Sequence, residues 1–241
     1  MIFIQNNNKM ASFYFSVEEY FTCFNQQKCP VFILWKTDKT VMLGNNQQVC
    51  YEVDKDYADE LNIKIVRRKS GGGAIYTDRG TVLFTVIEPF IDDFIDHREK
   101  VASSIINALS KMGVDAKREG RNDILIDGKK ISGLAQYTSG NYVCTHGSLL
   151  FDTDLEVLSR VLIENEEKLI PKGIRSIRSR VTNIKQYLKD DITVDEFKNN
   201  LKKFLLTDKE YIDYKLSKED LNKIKSISEE KYNNKKWNLG S

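Results

Sequence analysis

The sequence predicts an α+β fold built on a mixed, largely antiparallel sheet with flanking helices. Three observations carry that prediction. Strand-length apolar runs and amphipathic helical segments are interspersed along 241 residues without a regular strand–helix–strand rhythm. The dipeptide Asp127-Gly128, favoured in two-residue hairpin turns, sits between two strand-like segments, so part of the sheet must be antiparallel. No internal repeat is visible, and the length fits one large domain spanning residues 1–241.

Each element follows from a local signal. Ser16-Val17-Glu18-Glu19 has the spacing of a capping box and predicts a helix starting at Ser16. Pro30 breaks the chain before an apolar strand, Val31–Trp35, and the turn Thr37-Asp38-Lys39 leads to a second strand, Thr40–Leu43. Val53–Leu61 reads as a short helix. Strands Ile63–Val66 and Val82–Val86 flank a glycine loop, which runs into a short β-like stretch, Ala74–Tyr76. Arg98–Met112 places Val101, Ile105, Leu109 and Met112 on one helical stripe, and Gly113 follows where a C′ glycine belongs. Beyond the Asp127-Gly128 hairpin come a strand, Tyr142–Phe151, and a helix, Asp154–Ile163. Thr193 and Glu196 form a second capping box, with Ile192 and Phe197 as its hydrophobic staple. Phe197, Leu201 and Phe204 then line a core face, and the polar tail from Leu216 to Lys236 reads as a surface helix and loop.

Composition narrows the function. Hydrophobic residues make up 41% of the chain, enough for a packed core, yet no run is long enough to span a membrane. The N-terminus lacks the basic region and long apolar core of a signal peptide. A net charge of +2 gives no bulk attraction for nucleic acid. The positive charge is instead local, at Arg67–Lys69, Lys129-Lys130 and Lys172–Arg180, a pattern that points to a focused anion site. Cys23, Cys29, Cys50 and Cys144 form no C-x-x-C pair, which argues against a zinc or redox motif and for a reduced, cytoplasmic compartment.

The run Arg67-Arg68-Lys69-Ser70-Gly71-Gly72-Gly73-Ala74-Ile75-Tyr76 is the strongest ligand signal. Glycines let backbone N–H groups approach an anion closely, and arginines add planar charged donors. A triple glycine is ordinarily a connector. Here strands clamp it on both sides, which favours a ligand loop. It matches neither the P-loop nor the dinucleotide-binding glycine pattern.

The hairpin is the second signal. With Asp127 and Gly128 as the turn, Ile126 pairs with Lys129, Leu125 with Lys130 and Asp123 with Ser132. Asp123, Leu125, Lys130 and Ser132 then share one face, within about 5–8 Å of one another, while Ile124, Ile126 and Ile131 face the core. A lone hairpin lysine is ordinarily solvated, and Asn122-Asp123 reads equally as a turn. The shared face, and Gly133 after it, favour a ligand contact. Further on, His146 is followed by Gly147 and Ser148 and shares a strand face with Cys144. A structural histidine and a Cys–His nucleophile are both open readings.

Taken together, Arg67–Ala74, Gly120-Arg121-Asn122-Asp123, Lys130-Ile131-Ser132-Gly133, His146–Leu150 and the run Lys172–Asn183 resemble the lipoate–protein ligases. The resemblance covers about Phe13 to Asn183 and reappears at Trp237-Asn238-Leu239-Gly240. It implies the catalytic fold of biotin and lipoyl protein ligases, related to class II aminoacyl-tRNA synthetases. It implies that lipoate and Mg-ATP give lipoyl-adenylate, which a lysine of a lipoyl domain then attacks.

By the same resemblance, Lys130 is the catalytic cation at the reacting carbonyl and phosphate. Trp35, Arg68, Ser70, Gly71, Gly72, Gly73, Ser132, Gly133, His146 and Gly147 bind lipoate or its adenylate. Ile75, Tyr76, Asn122, Asp123, Lys172, Arg178 and Arg180 bind the nucleotide, with Asp123 also on the Mg2+. The implied partners are lipoyl domains of 2-oxoacid dehydrogenase complexes or the glycine cleavage H protein. A separate accessory-domain polypeptide is another, because Trp237–Gly240 resembles the joint where many such ligases enter an accessory domain. Thr77, Arg79, Thr81 and Asn45 depart from the residues common in the family. A transferase of pre-activated lipoyl or octanoyl groups, using Cys144, and a lipoate-binding protein without transfer activity are the rival readings.

Overall fold

The computed structural model describes residues 1–90, 96–163, 177–207 and 209–240. Among the described residues the main sheet has eight strands, in the order β11-β1-β2-β6-β10-β9-β8-β7. In chain order these are β1 (Ile2–Ile4), β2 (Val31–Trp35), β6 (Thr81–Pro89), β7 (Lys117–Glu119), β8 (Asp123–Ile126), β9 (Lys129–Ser139), β10 (Tyr142–Leu150) and β11 (Ile212–Tyr214). β1 runs parallel to both β11 and β2, and every other pairing in this sheet is antiparallel. A second sheet sets β3 (Thr40–Leu43) between β4 (Lys64–Arg67) and β5 (Ile75–Thr77). The fold is thus the mixed, largely antiparallel α+β class the sequence predicts.

Helices cover both faces. On one, α4 (His97–Lys111) and α7 (Val194–Leu206) pack Val101, Ile105, Leu109, Phe197 and Leu201 against Phe32, Phe84 and Ile124. Each such fully buried side chain contributes about 1.5–3 kcal/mol. On the other, α1 (Ala11–Cys23) and α8 (Lys218–Ile227) enclose Phe15, Phe21, Trp35, Ile224 and Tyr232. The small sheet packs with α3 (Lys55–Glu60) and α5 (Leu155–Val161) into a third cluster. The gap between the two sheets becomes the site.

Several local expectations need correction. α1 begins at Ala11, five residues before Ser16, and has no side-chain cap. Ser16 is fully buried mid-helix and donates to the Ser12 carbonyl at 2.7 Å. Burial of aromatic residues on α1 overrides the local capping signal. The expected helix Val53–Leu61 forms as α3 but starts two residues later, because Asp54 caps it by accepting from the Tyr57 amide, and a separate short helix, α2 (Val49–Glu52), precedes it. The tail is not merely a surface element: Ile224, Ile227 and Tyr232 are buried, and Tyr20 Oη donates to Asp220 Oδ1 at 2.5 Å. The Thr193–Glu196 capping box forms as expected.

The hairpin turn also forms as expected, with positive φ at Asp127 and Gly128 and with Leu125 opposite Lys130. Above that step the register slips. A bulge between Ile124 and Leu125 sets Ile124 opposite Ser132 and Asp123 opposite Gly133, correcting the expected Asp123–Ser132 pair. Lys130 and Asp123 still share a face, and Ile124 and Ile131 are fully buried in the core.

Candidate active site

Two cavities lie between the sheets. The narrower, about 140 Å³, is walled by Phe15, Trp35, Met42, Leu83 and Leu134 and closed by Gly72, Gly73 and Ala74. The wider, about 530 Å³, runs along β5, β8 and β10 and is lined by Tyr76, Leu125, Ser132, Ser148 and Arg180. Gly73, Ala74, Ile75, Asp123, Lys130 and Gly133 line both. The Lys130 Nζ lies 2.8 Å from Asp123 Oδ1, and both side chains are partly exposed. A narrow slot and a roomier chamber therefore meet at one ammonium–carboxylate pair.

The bulge explains that pair. It puts Gly133, which has no side chain, across from Asp123 and beside Lys130. A Cβ on Gly133 would stand 3.1 Å from Lys130 Nζ and 3.2 Å from Cε. The glycine leaves the space that the lysine fills. Ser132 Oγ is buried and unpartnered in the wall of the wider cavity.

Beneath the glycine loop runs a buried polar chain. Trp35 Nε1 donates to Thr85 Oγ1 at 3.1 Å, and Thr85 Oγ1 donates to Glu18 Oε1 at 2.7 Å. Glu18 Oε1 lies 2.9 Å from His146 Nδ1, and His146 Nε2 lies 2.7 Å from Ser70 Oγ. A carboxylate only accepts, so Nδ1 carries the hydrogen. Arg68 Nε completes the chain by donating to Ser70 Oγ at 3.0 Å.

Arg68 is 5% exposed, and its remaining bonds go to the carbonyls of Met42, Gly71 and Gly73 at 2.8–2.9 Å. Burial pushes its guanidinium down to about 10, and the charge of Glu18 partly opposes that shift. Its fork shapes the loop, and the residue also lines the narrow cavity. Gly72 adopts φ +94°, which a side chain would strain.

The sequence-derived residues fall into four places. Trp35, Arg68, Gly72, Gly73, Ile75, Asn122, Asp123, Lys130, Gly133, His146 and Gly147 line the narrow cavity. Tyr76, Ser132 and Arg180 line the wide one. Ser70 lies buried under the loop, and Gly71 is exposed on it. Lys172 and the side chain of Arg178 lie outside the described residues.

Of the departures, Thr77 bonds Thr37, Thr81 bonds Thr153 and Arg79 pairs with Asp38, so they serve local structure. Sequence reasoning missed Glu18, Phe15, Met42 and Leu83. A signal for Glu18 existed: it lies three residues from Phe15 and from Phe21, on the stripe that the sheet buries.

Comparison with known proteins decides the family. The model described as "Lipoyl protein ligase A/B catalytic domain" matches residues 11–206. The chain belongs to that family. It is 35% identical to lipoate-protein ligase LplJ of Bacillus subtilis and 36% identical to lipoate–protein ligase 1 of Staphylococcus aureus. In each case the match takes in 100% of this chain and 74% of the relative. Among solved structures, a bi-partite lipoate protein ligase from Thermoplasma acidophilum, described with its E2 lipoyl domain, superposes with a TM-score of 0.86 at 26% identity. That match covers 99% of this chain and 96% of the other. A lipoate-protein ligase A bound with ATP shares the fold at a TM-score of 0.87 and 24% identity, covering 99% and 98%. No helix among the described residues is long and apolar enough to cross a membrane.

Proposed function

We propose that this chain is a lipoate–protein ligase that activates lipoate with ATP and transfers the lipoyl group to a lysine of a lipoyl domain. The observation that carries this reading is the Lys130–Asp123 pair at the junction of the two cavities. An apolar acyl chain in the narrow slot would bring its carboxylate to Lys130. The wider cavity has room for the nucleotide. In the first step a carboxylate oxygen bonds to the α-phosphorus, the α–β anhydride bond breaks, and pyrophosphate leaves. In the second, the acceptor lysine's amine attacks the acyl carbonyl, the bond to the phosphate oxygen breaks, AMP leaves, and the amine sheds a proton.

Lys130 stabilises negative charge in both steps, first on the reacting phosphate and then on the carbonyl oxygen. The residues present also fit a magnesium ion carried with the triphosphate. Asp123 offers a partly exposed carboxylate at the junction, Glu52 and Glu119 line the wider cavity, and hard oxygen donors suit that ion. Bound there, the ion would screen phosphate charge.

The T. acidophilum neighbour, described with its E2 lipoyl domain, supports a lipoyl domain as acceptor; lipoyl domains of 2-oxoacid dehydrogenase complexes and the H protein are the acceptors we propose. Its bi-partite description supports an accessory polypeptide as a second partner. A transferase working through Cys144 finds no support. That thiol is fully buried, lines neither cavity, and is pushed well above the ordinary thiol range by burial. The deciding experiment incubates the chain with lipoate, Mg-ATP and a lipoyl domain and reads intact mass. The expected result is lipoyl-adenylate and a singly acylated acceptor. If an acyl-thioester forms on the enzyme and no adenylate appears, the proposal is overturned.

A further inference from the structure

Arg67 ends β4 beside Arg68 and is 6% exposed. It does not face the cavities. Its Nε donates to the Trp237 carbonyl at 2.9 Å and its Nη2 to the Asn238 carbonyl at 3.1 Å. Its Nη1 lies within 3.2 Å of the carbonyls of Gly44, Asn45 and Gln47. Its backbone amide donates to Asn238 Oδ1, and its own carbonyl accepts from Trp237 Nε1. One buried guanidinium thus ties the turn Lys236–Gly240 to the loop 44–47, using carbonyl partners throughout.

That loop is the seat of the glycine loop. The Asn45 amide donates to the Ser70 carbonyl and the Arg68 amide to the Leu43 carbonyl, both at 2.9 Å. Backbone meets backbone there, since a Cβ on Gly44 would fall 2.1 Å from the Gly72 carbonyl oxygen. A second line runs from the same tail. Tyr232 Oη donates to Glu19 Oε2 at 2.6 Å, and its ring packs 5.7 Å from Phe15, a wall of the narrow cavity.

We propose that Arg67 is a positioning residue, a latch through which the C-terminal turn sets the rigidity of the glycine loop and so the grip of the narrow cavity on its acyl ligand. The ligand assignment rests on the function proposed above; the coupling itself does not. A planar fork that reaches five carbonyls in two segments has no equivalent in lysine. By linkage, whatever the turn does to the cavity, a bound acyl group does in return to the turn.

The test uses the full chain and the mild variant Trp237→Phe, which removes one latch bond and keeps an aromatic ring there, together with Arg67→Lys. Amide hydrogen exchange is followed without ligand, and lipoate and ATP binding are titrated separately. Exchange at the Asn45 and Arg68 amides should accelerate at least tenfold while amides of α4 and α7 stay as in wild type. Affinity for lipoate should fall at least fivefold and affinity for ATP should hold. Added lipoate should slow exchange at the Asn238 amide of the wild-type chain. Unchanged exchange at Asn45 and Arg68, or equal acceleration in α4 and α7, overturns the latch. Failure of the wild-type chain to bind lipoate would refute the functional reading instead, and the ligand-free exchange data would still decide the coupling.

Discussion

Lys130 concentrates the chemistry on one ammonium, and its surroundings say how it should respond to substitution. Lys130→Ala should lower adenylate formation by about 10²–10³, the usual loss for one preorganised donor, with little change in melting temperature. Lys130→Arg should not restore it, because the space beside Gly133 is cut to a slender chain. Lys129 is exposed and serves as the control. Pyrophosphate release is the measurement, and a Lys130→Ala enzyme above a tenth of wild-type rate removes Lys130 from its role. Arg68→Ala should act differently. It strands the Met42 carbonyl in a buried site, at about 1–3 kcal/mol, and releases the part-buried carbonyls of Gly71 and Gly73. Chemical denaturation should therefore register it, where Lys130→Ala registers in catalysis alone.

At the scale of elements, legibility depended on whether the deciding contact was local. The Asp127-Gly128 turn and the Thr193–Glu196 box are settled within four residues of sequence, and both form as read. Ser16 has the same spacing signal, yet its helix starts five residues earlier because aromatic residues bury that turn against the sheet. The bulge at Ile124/Leu125 was illegible for a related reason: the turn sets the register nearby, but packing further up the ladder does not depend on the turn. The glycine loop was legible as a loop clamped between strands, and it lines the narrow cavity, but what holds it was not legible. Its support comes from Glu18, Thr85 and His146 on three other elements.

Two expected outcomes follow at this scale. Thr193→Ala should cost about 1 kcal/mol of stability in a denaturant titration through the lost cap, whereas Ser16→Ala should show no cap effect. Gly133→Ala should leave the fold intact and reduce adenylate formation roughly tenfold or more, because the new methyl displaces the Lys130 tip. A Gly133→Ala enzyme with wild-type pyrophosphate release would show that the spacing is idle.

For the whole molecule, the C-terminal segment and α1 hold each other through Glu19. Burial alone would raise that carboxyl, but hydrogen bonds from Lys231 and Tyr232 outweigh it and hold Glu19 below its ordinary 4.5. A lowered carboxyl contributes stability that is present above its unfolded value and fades as pH falls through the folded one. Glu19→Gln should therefore melt a few degrees below wild type at pH 7, with the gap closing as the pH falls below 4.5. A gap that stays constant across that range would mean that the charge of Glu19 contributes nothing to the clasp.

The position of β1 has a consequence for how the chain is made. Of the described strands β1 is made earliest, and it lies between β2 and β11, with Ile2 beside both Val31 and Ile212. One of its edges finds a partner early, and the other waits until residue 214 has emerged. At 5–20 residues per second that wait lasts about ten to forty seconds. Through it, an apolar strand keeps a row of unpaired amides and carbonyls on the surface of the nascent chain. The short final strand, otherwise largely exposed, closes that edge, so release of a chain lacking it should turn a slow translation step into aggregation.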